Sequence, residues 1–184
     1  ARKSDSKLFG IVQGGIYEDL RKTSLDHMLD IEFDGYAIGG LGLGEGQNKT
    51  YEVTEQLCSM IPKDKPRYSM GIGKPEDIIN SVELGVDIFD CVVPTRNARN
   101  GTLYTKDGKI NIKNSIYNMS DKSIDDDDLN HPCSGYSLGY IRHLYSSKEI
   151  SALSLMSMSN LYFYKQLIES IKKSIKDGKF IDFK

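Results

Sequence analysis

The chain has 184 residues, of which 39% are hydrophobic and 27% charged, a globular composition with enough length for one good core. Its formal net charge of −2 does not mark the whole chain as a nucleic-acid binder, so only local patches can support an argument about a polyanionic partner. The odd number of widely spaced cysteines argues against a disulfide framework. The sequence has neither an apolar run of membrane-spanning length nor a signal-peptide pattern. We therefore expect a cytoplasmic protein without a membrane partner.

The first part of the chain alternates short apolar runs with amphipathic segments, joined by glycine-rich junctions. Predicted strands cover residues 7–13, 35–38, 67–70 and 87–93, and predicted helices cover residues 17–30, residues 49–61 and a segment beginning at Pro75. This alternation predicts a parallel sheet whose strands all end at one edge. We therefore expect Gln13, Gly40, Met70 and Asp90 around a common mouth.

The character of the sequence changes after residue 101. Residues 102–105 and 109–113 flank Asp107-Gly108, which predicts a hairpin with a tight turn. Residues 117–132 are polar, include an acidic block at 125–128, and are interpreted as a loop. Helices are predicted over residues 136–145, 148–156 and 160–177, the last with an apolar stripe at Leu161, Tyr164, Ile168, Ile171 and Ile175.

Residues 89–101 are the most informative stretch. They place one carboxylate, Asp90, in an apolar strand, followed by a polar segment that carries Arg96 and Arg99. On residue type alone, a strand-end capping or ion-pairing carboxylate is the commoner role for Asp90. The neighbouring arginines favour a different hypothesis, in which Asp90 attacks a carbon of a polyanion that the arginines hold.

Four segments resemble a known family in order and spacing, namely residues 9–14, 34–41, 70–77 and 89–101. Together they resemble the C-terminal half of a bacterial-type tRNA-guanine transglycosylase, the queuine tRNA-ribosyltransferase. The resemblance covers nearly the whole chain, and the motif at residues 89–101 is the most specific of the four.

The family fold is a TIM barrel with a zinc-bearing insertion. The resemblance therefore implies an α/β chain: the C-terminal half of a TIM (β/α)8 barrel with about four βα units, a hairpin, a degenerate zinc-subdomain region and C-terminal helices. The corresponding domains are residues 1–101, residues 102–159 and residues 160–184, the last packing back on the barrel. Because the chain begins with Ala1 and lacks the family's N-terminal half with its proton-accepting aspartate, we expect an excised fragment or a half that pairs with another chain.

The resemblance also implies a reaction. The family exchanges the wobble guanine of tRNA for a 7-deazaguanine (preQ1 or queuine) through a covalent ribosyl-aspartate intermediate, and Asp90 matches the nucleophile. The matching base-binding residues are Gln13, Gly40, Leu41 and Met70. The matching RNA-binding residues are Gly71, Ile72, Gly73, Lys74, Pro75, Glu76, Asp77, Thr95, Arg96, Asn97, Ala98 and Arg99. We expect this chain alone to be inactive.

The metal-ligand positions depart from the family. Its structural zinc is held by a Cys-x-Cys-x-x-Cys cluster and a distant histidine. If Cys133 is aligned with the third cysteine, Asp128, Asn130 and Ser159 fall at the other positions, so only Cys133 matches a ligand. A makeshift site that includes His131 stays open, but we expect no metal and predict no cofactor.

The partners implied are the tRNA anticodon loop, a 7-deazaguanine base, and the missing N-terminal half or a partner chain, with a homodimer left open. Two alternative functions remain. The chain could be a non-catalytic tRNA-binding subunit that pairs with a catalytic partner, or an unrelated barrel enzyme that binds phosphate at its strand ends. The first leaves the nucleophile motif unexplained, and the second leaves residues 95–99 unexplained.

Overall fold

The computed structural model describes residues 5–125 and 128–184, so Asp126 and Asp127 of the predicted acidic block lie outside the described residues. The described chain divides after Cys91 into two compact units. The sequence interpretation ends its first domain at residue 101 instead. Residues 92–101 belong to the second unit because the helix that they form packs against elements further along the chain.

The first unit alternates strands and helices as predicted. Its elements are β1 (Phe9–Val12), α1 (Glu18–Leu29), β2 (Gly35–Ile38), α2 (Gln47–Met60), β3 (Arg67–Ser69), α3 (Pro75–Glu83) and β4 (Ile88–Phe89). The strands pair in the order β1-β2-β3-β4, and every pairing is parallel. The predicted parallel sheet is therefore confirmed.

Glycines at the start of β2 and directly after it leave room for the side chains of β1. Phe9 pairs with Gly35, and a Cβ added at Gly35 would lie 2.4 Å from the Phe9 ring. A Cβ at Gly39 would lie 2.9 Å from a methyl carbon of Ile11. Side chains alternate between the two faces of a strand, so these contacts define one face of the sheet.

The opposite face of the sheet forms the core of the first unit. Val12, Tyr36 and Ile38 of the strands are buried there. They belong to one cluster with Leu25 of α1 and Leu57 of α2. Burying each such side chain contributes about 1.5–3 kcal/mol, so this packing fixes the sheet against its helices.

The prediction of the fourth strand is wrong beyond Phe89. It was expected over residues 87–93, but the strand ends at Phe89 and a helix, α4 (Val93–Arg99), follows almost at once. Pro94 explains the difference, because its fixed φ angle suits the first turn of a helix. Pro94 and Ala98 are buried, so the polar segment that carries the two arginines is a helix with one apolar side.

The second unit continues from α4 with a hairpin and further helices. Its elements are β5 (Thr102–Thr105), β6 (Gly108–Asn111), a 3-10 turn (Ser115–Tyr117), α5 (Leu138–Ser146), α6 (Ile150–Lys176) and α7 (Phe180–Phe183). The strands β5 and β6 pair antiparallel with Thr105 opposite Gly108, which confirms the hairpin. A second core joins these elements through Ala98, Leu103, Ile112, Ile141 and Met156, among others.

The two last predicted helices are one continuous helix, α6. Ser157, Ser159 and Asn160, which lie at the predicted break, have low helix propensity. Tertiary hydrogen bonds override that preference. The buried Asn160 side chain accepts from the Tyr104 amide at 2.9 Å and donates to the carbonyl oxygens of Pro94 at 2.9 Å and Thr102 at 3.0 Å.

The predicted apolar stripe of α6 is only partly buried. Tyr164 and Ile171 are buried, whereas Leu161 and Ile175 are each 51% exposed. Between the 3-10 turn and α5, the described residues form neither helix nor strand, as predicted for 117–132. Within the described part of the chain, no helix is long and apolar enough to span a membrane.

Candidate functional site

Each of the four strands is followed directly by a candidate site residue or its neighbour. Gln13 follows β1, Gly39 and Gly40 follow β2, Met70 follows β3, and Asp90 follows β4. The strand ends are tied together, since the Gly39 amide donates to Val12 at 3.1 Å and the Met70 amide donates to Ile38 at 3.2 Å. Parallel strands end at one edge, so the structure brings these residues to the same edge of the sheet.

Asp90 is exposed and accepts two hydrogen bonds on one carboxylate oxygen. The Tyr68 hydroxyl donates to Oδ1 at 2.7 Å, and the Gly71 amide donates to the same atom at 2.9 Å. These two bonds, the Tyr68 bond first, hold the pKa of Asp90 below its ordinary value despite a small opposing effect of burial. Within the described residues, no hydrogen bond reaches Oδ2. One oxygen is therefore anchored, and the other is free to react.

Tyr68 was missed by the sequence interpretation. Its hydrogen bond to Asp90 also raises the pKa of the Tyr68 hydroxyl, so the phenol stays protonated and keeps donating. The register between β3 and β4 would have predicted the contact between Tyr68 and Asp90. Tyr68 pairs with Ile88, and Asp90 lies two residues beyond Ile88 and so shares a face of the sheet with Tyr68.

The Gln13 side chain lies over the backbone of Gly39 and Gly40. A Cβ at Gly39 would lie 2.6 Å from the Gln13 Nε2 atom, and one at Gly40 would lie 2.8 Å from Oε1. Gly40 also has a φ angle of +67°, which favours glycine. The two glycines therefore leave room for an exposed amide that can read the polar edge of a base.

A buried arginine, Arg21, supports the strand end that carries Gln13, and sequence reasoning missed it too. Its side chain donates to the carbonyl oxygens of Gly15 at 2.8 Å and Val12 at 2.9 Å. Arg21 is 0% exposed, and this burial lowers its pKa, with a smaller opposing effect from Glu45. The only sequence signal was an arginine six positions after Gly15, the residue whose carbonyl oxygen it binds.

The loop after β2 is organised by Glu45. Leu41 is buried, and the Glu45 carboxylate accepts hydrogen bonds from the Gly42 amide, the Leu43 amide at 2.9 Å and the Thr50 hydroxyl at 2.7 Å. Burial acts to raise the pKa of Glu45, but these hydrogen bonds outweigh it and lower that pKa to about 2. An ionised Glu45 thus fixes the loop that carries Leu41.

The predicted base-binding residue Met70 and the predicted RNA-binding residues 71–77 divide into buried and exposed members. Met70 is half-buried, and Ile72 and Gly73 are buried. Asp77 accepts from the Tyr51 hydroxyl at 2.7 Å and from Gln47, so it holds α3 against α2. The members at the surface are Gly71, Lys74 and Glu76.

In the predicted RNA-binding segment of α4, the two arginines are the exposed side chains. Ala98 is 0% exposed, and the Asn97 amide donates to the Tyr104 hydroxyl at 2.7 Å. Thr95 is half-buried, and its hydroxyl lies 3.4 Å from the carbonyl oxygen of Val92. Arg96 and Arg99 lie in the last turn of the helix and face solvent.

A family model described as Queuine tRNA-ribosyltransferase matches residues 1–184. The chain belongs to this family. The resemblance found in the sequence motifs is thereby confirmed.

Curated relatives that are named queuine tRNA-ribosyltransferase share nearly half of their aligned residues with the chain. The relative from Aeromonas hydrophila subsp. hydrophila is 47% identical over 96% of this chain and 47% of its own length. Relatives from Lawsonia intracellularis and from Buchnera aphidicola subsp. Acyrthosiphon pisum are each 46% identical, over 99% and 98% of this chain. The chain spans about half the length of the curated relatives it matches.

In the second unit of this queuine tRNA-ribosyltransferase family member, the expected metal-ligand positions include Cys133 and Ser159, and His131 contacts both residues. Cys133 and Ser159 are both 0% exposed, and His131 is 6% exposed. Burial raises the pKa of the Cys133 thiol to about 11 and lowers the pKa of His131. Among the described residues, no group of three or more His, Cys, Asp or Glu side chains is placed to hold a metal ion.

Proposed function

We propose that this chain is the C-terminal half of a tRNA-guanine transglycosylase, in which Asp90 displaces the wobble guanine of tRNA so that a 7-deazaguanine, preQ1 or queuine, can replace it. Family membership supports the reaction class. The observation that carries the proposal is an exposed, hydrogen-bonded carboxylate at the same sheet edge as Gln13 and Gly40. The whole site would need residues that the other half of the protein supplies.

The uncovered face of the sheet supports a half barrel. This face carries Phe9, Ile11, Tyr68 and Ile88, and the apolar Ile11 and Ile88 side chains are 42% and 40% exposed. Parallel sheets are normally covered on both faces, here by helices on one and, in a closed barrel, by the opposing strands on the other. The remaining half of the protein would close the barrel over this face.

The proposed reaction is a double displacement at the ribose C1′ atom. The free Oδ2 atom of Asp90 forms a bond to C1′, the C1′–N9 bond breaks, and guanine leaves with the electron pair and takes up a proton. The incoming base then loses a proton and its N9 atom attacks C1′, which releases the Asp90 carboxylate. The lowered pKa of Asp90 keeps it ionised and ready for the first step.

The proposed base pocket uses residues of the first unit. The Gln13 amide would read the polar edge of the base beside the backbone of Gly40 and Leu41, and Met70 would pack on its face. For the tRNA backbone, Arg96 and Arg99 offer guanidinium groups suited to phosphates. Arg99 also lines a pocket of about 450 Å³ together with Lys113, Lys148 and Glu149, so three cationic side chains and one acidic side chain meet there.

The decisive experiment uses a chimera in which this chain replaces the matching half of the Aeromonas hydrophila relative. We expect the chimera to incorporate labelled guanine into tRNA and the 184-residue chain alone to incorporate none. Asp90→Asn should lower exchange on the order of a thousandfold or more, because it removes the nucleophile. The matched control is Asp26→Asn, an exposed α1 carboxylate paired with Lys22, which should leave exchange unchanged.

Three outcomes would contradict parts of the proposal. A covalent tRNA adduct with the Asp90→Asn chimera would exclude Asp90 as the nucleophile. A chimera that binds tRNA but exchanges no guanine would favour the alternative, a non-catalytic tRNA-binding subunit. Exchange by the isolated chain would instead show that the missing half is not needed.

A further inference from the structure

We infer that a hydrogen-bonded cluster centred on His131 takes the place of the family's structural metal in the second unit, so that this unit holds its fold without a metal ion. The histidine cluster consists of Asp128, His131, Cys133, Ser159 and Tyr162. Three of these residues stand at aligned ligand positions, and two of the three are no longer metal-binding residue types of the family set. The inference is independent of the proposed tRNA reaction.

Both ring nitrogens of His131 have protein partners. The Cys133 backbone amide lies 3.1 Å from Nδ1, and since an amide N–H can only donate, Nδ1 must accept. The proton is then on Nε2, which lies 3.2 Å from the Ser159 hydroxyl oxygen and donates to it. Neither nitrogen keeps a lone pair for a metal, so the buried ring acts as a hydrogen-bond bridge.

The Cys133 thiol also forms a hydrogen bond within the protein. Its sulfur lies 3.3 Å from the carbonyl oxygen of Leu155, which can only accept, so the sulfur must carry its proton. A zinc ligand needs the thiolate instead. Cys133 is packed in the core of the second unit beside Ile124, Leu138 and Met156, where it serves as a small apolar side chain.

Asp128 completes the cluster from the other side. Its Oδ2 atom accepts from the Tyr162 hydroxyl at 2.8 Å, and its Oδ1 atom accepts from the Asn130 amide at 2.9 Å. The Tyr162 ring packs edge-on against His131 with centroids 5.2 Å apart. Each of these polar groups thus has a partner inside the cluster, in its own loop or on the backbone of α6.

The cluster makes the connection that a structural metal makes in a small domain. His131 and Cys133 belong to the segment before α5, whereas Leu155, Ser159 and Tyr162 lie on α6 at helical spacing and so on one side of that helix. The contacts therefore fasten the loop to the helix. Several hydrogen bonds and an aromatic contact take the place of four coordinate bonds.

The first test measures zinc in the chain after expression in zinc-supplemented medium, together with the thermal unfolding midpoint before and after treatment with a chelator. We expect substoichiometric zinc and an unchanged midpoint. Stoichiometric zinc whose removal lowers the midpoint would overturn the inference. Neither measurement depends on tRNA exchange.

Variants test the cluster directly. His131→Ala removes two buried hydrogen bonds and should lower the unfolding midpoint by roughly 4–8 °C. The matched control is His143→Ala, which removes an exposed histidine of α5 and should shift the midpoint little. Equal midpoints for the two variants would overturn the role of His131.

A rebuilt ligand set provides the converse test. The triple variant Asp128→Cys, Asn130→Cys, Ser159→His restores the family's cysteine spacing around Cys133 together with the distant histidine. We expect it to take up stoichiometric zinc and to become sensitive to the chelator, unlike the parent chain. A triple variant that takes up no zinc would contradict the assignment of these positions to the former metal site.

Discussion

Asp90 depends on one neighbour more than on any other. The Tyr68 hydroxyl donates the hydrogen bond that contributes most to the lowered pKa of the carboxylate. Tyr68→Phe removes that bond while keeping the ring, which packs edge-on with Phe9 at 6.5 Å. The Gly71 amide then remains as the only hydrogen-bond donor to Asp90 among the described residues.

We predict that Tyr68→Phe raises the pKa of Asp90 towards its ordinary value. Protonation of Asp90 then begins at higher pH, so the acidic limb of guanine exchange by the chimera shifts to higher pH while the rate near neutral pH changes less. NMR titration of the Asp90 carboxyl carbon in the isolated chain checks the shift without requiring activity. Tyr17→Phe, which changes a tyrosine 62% exposed, serves as the control. An Asp90 titration curve that coincides in the two variants would contradict the assigned role of Tyr68.

The site residues themselves were only partly predictable from sequence. Gln13, Gly40, Met70 and Asp90 could be placed because each follows a run of apolar residues, and the sheet brings such positions together. Tyr68 and Arg21 could not, because their roles depend on strand register and on where a long side chain ends. Those are properties of the folded packing rather than of local pattern.

At the scale of elements, the turn after β2 places a glycine that is restricted both by its backbone conformation and by a neighbouring side chain. Gly40 and Gly178 both have a φ angle of +67°, but a Cβ at Gly40 would lie 2.8 Å from the Gln13 amide whereas nothing lies within 4 Å of one at Gly178. Alanine at either position therefore experiences the same backbone strain. Only at Gly40 does it also meet the candidate base-reading side chain.

We predict that Gly40→Ala and Gly178→Ala each lower the free energy of unfolding by about 1 kcal/mol, since the flexible Gln13 amide can move away from the new methyl group. The two variants should differ at Gln13. Its side-chain amide resonances should shift in Gly40→Ala and stay in place in Gly178→Ala, while urea titrations measure the stabilities. Unmoved Gln13 resonances in Gly40→Ala would contradict the contact.

Elements with a clear periodic pattern were predicted well, and those decided by tertiary contacts were not. The strand and helix alternation of the first unit and the 102–111 hairpin follow from apolar runs and turn residues. The helix α4 was missed because its polar residues, among them Arg96, Asn97 and Arg99, leave no clear helical pattern of apolar residues. The continuous α6 was missed because Asn160 is held in the helix by three distant backbone groups.

For the whole molecule, the uncovered face of the first sheet is the feature with the widest consequence. Its exposed apolar side chains should pack against another part of the protein, which we propose to be the other half of the barrel. We predict that Ile11→Lys prevents the chain from co-purifying with the separately expressed remaining half of the Aeromonas hydrophila relative, because the charge would have to be buried there. Circular dichroism should show an intact fold, since Ile11 is 42% exposed in this chain.

The control for that experiment is Ile31→Lys, which places the same charge at a residue 61% exposed in the connection between α1 and β2. This variant should co-purify with the remaining half as the parent does. Equal recovery of the two variants would contradict the assignment of the uncovered face as the barrel interface. Loss of both would point to instability instead, and the circular dichroism spectra would show it.

The histidine cluster also bears on how the protein matures in a cell. A zinc-held domain has to capture an ion from a scarce, buffered supply after synthesis, and it competes with other zinc proteins for that ion. The bond from His131 to Ser159 joins positions 28 residues apart in the same chain, so its partners arrive together as translation proceeds through α6. If the cluster replaces the metal, the yield of folded protein should not fall when the cell is starved of zinc.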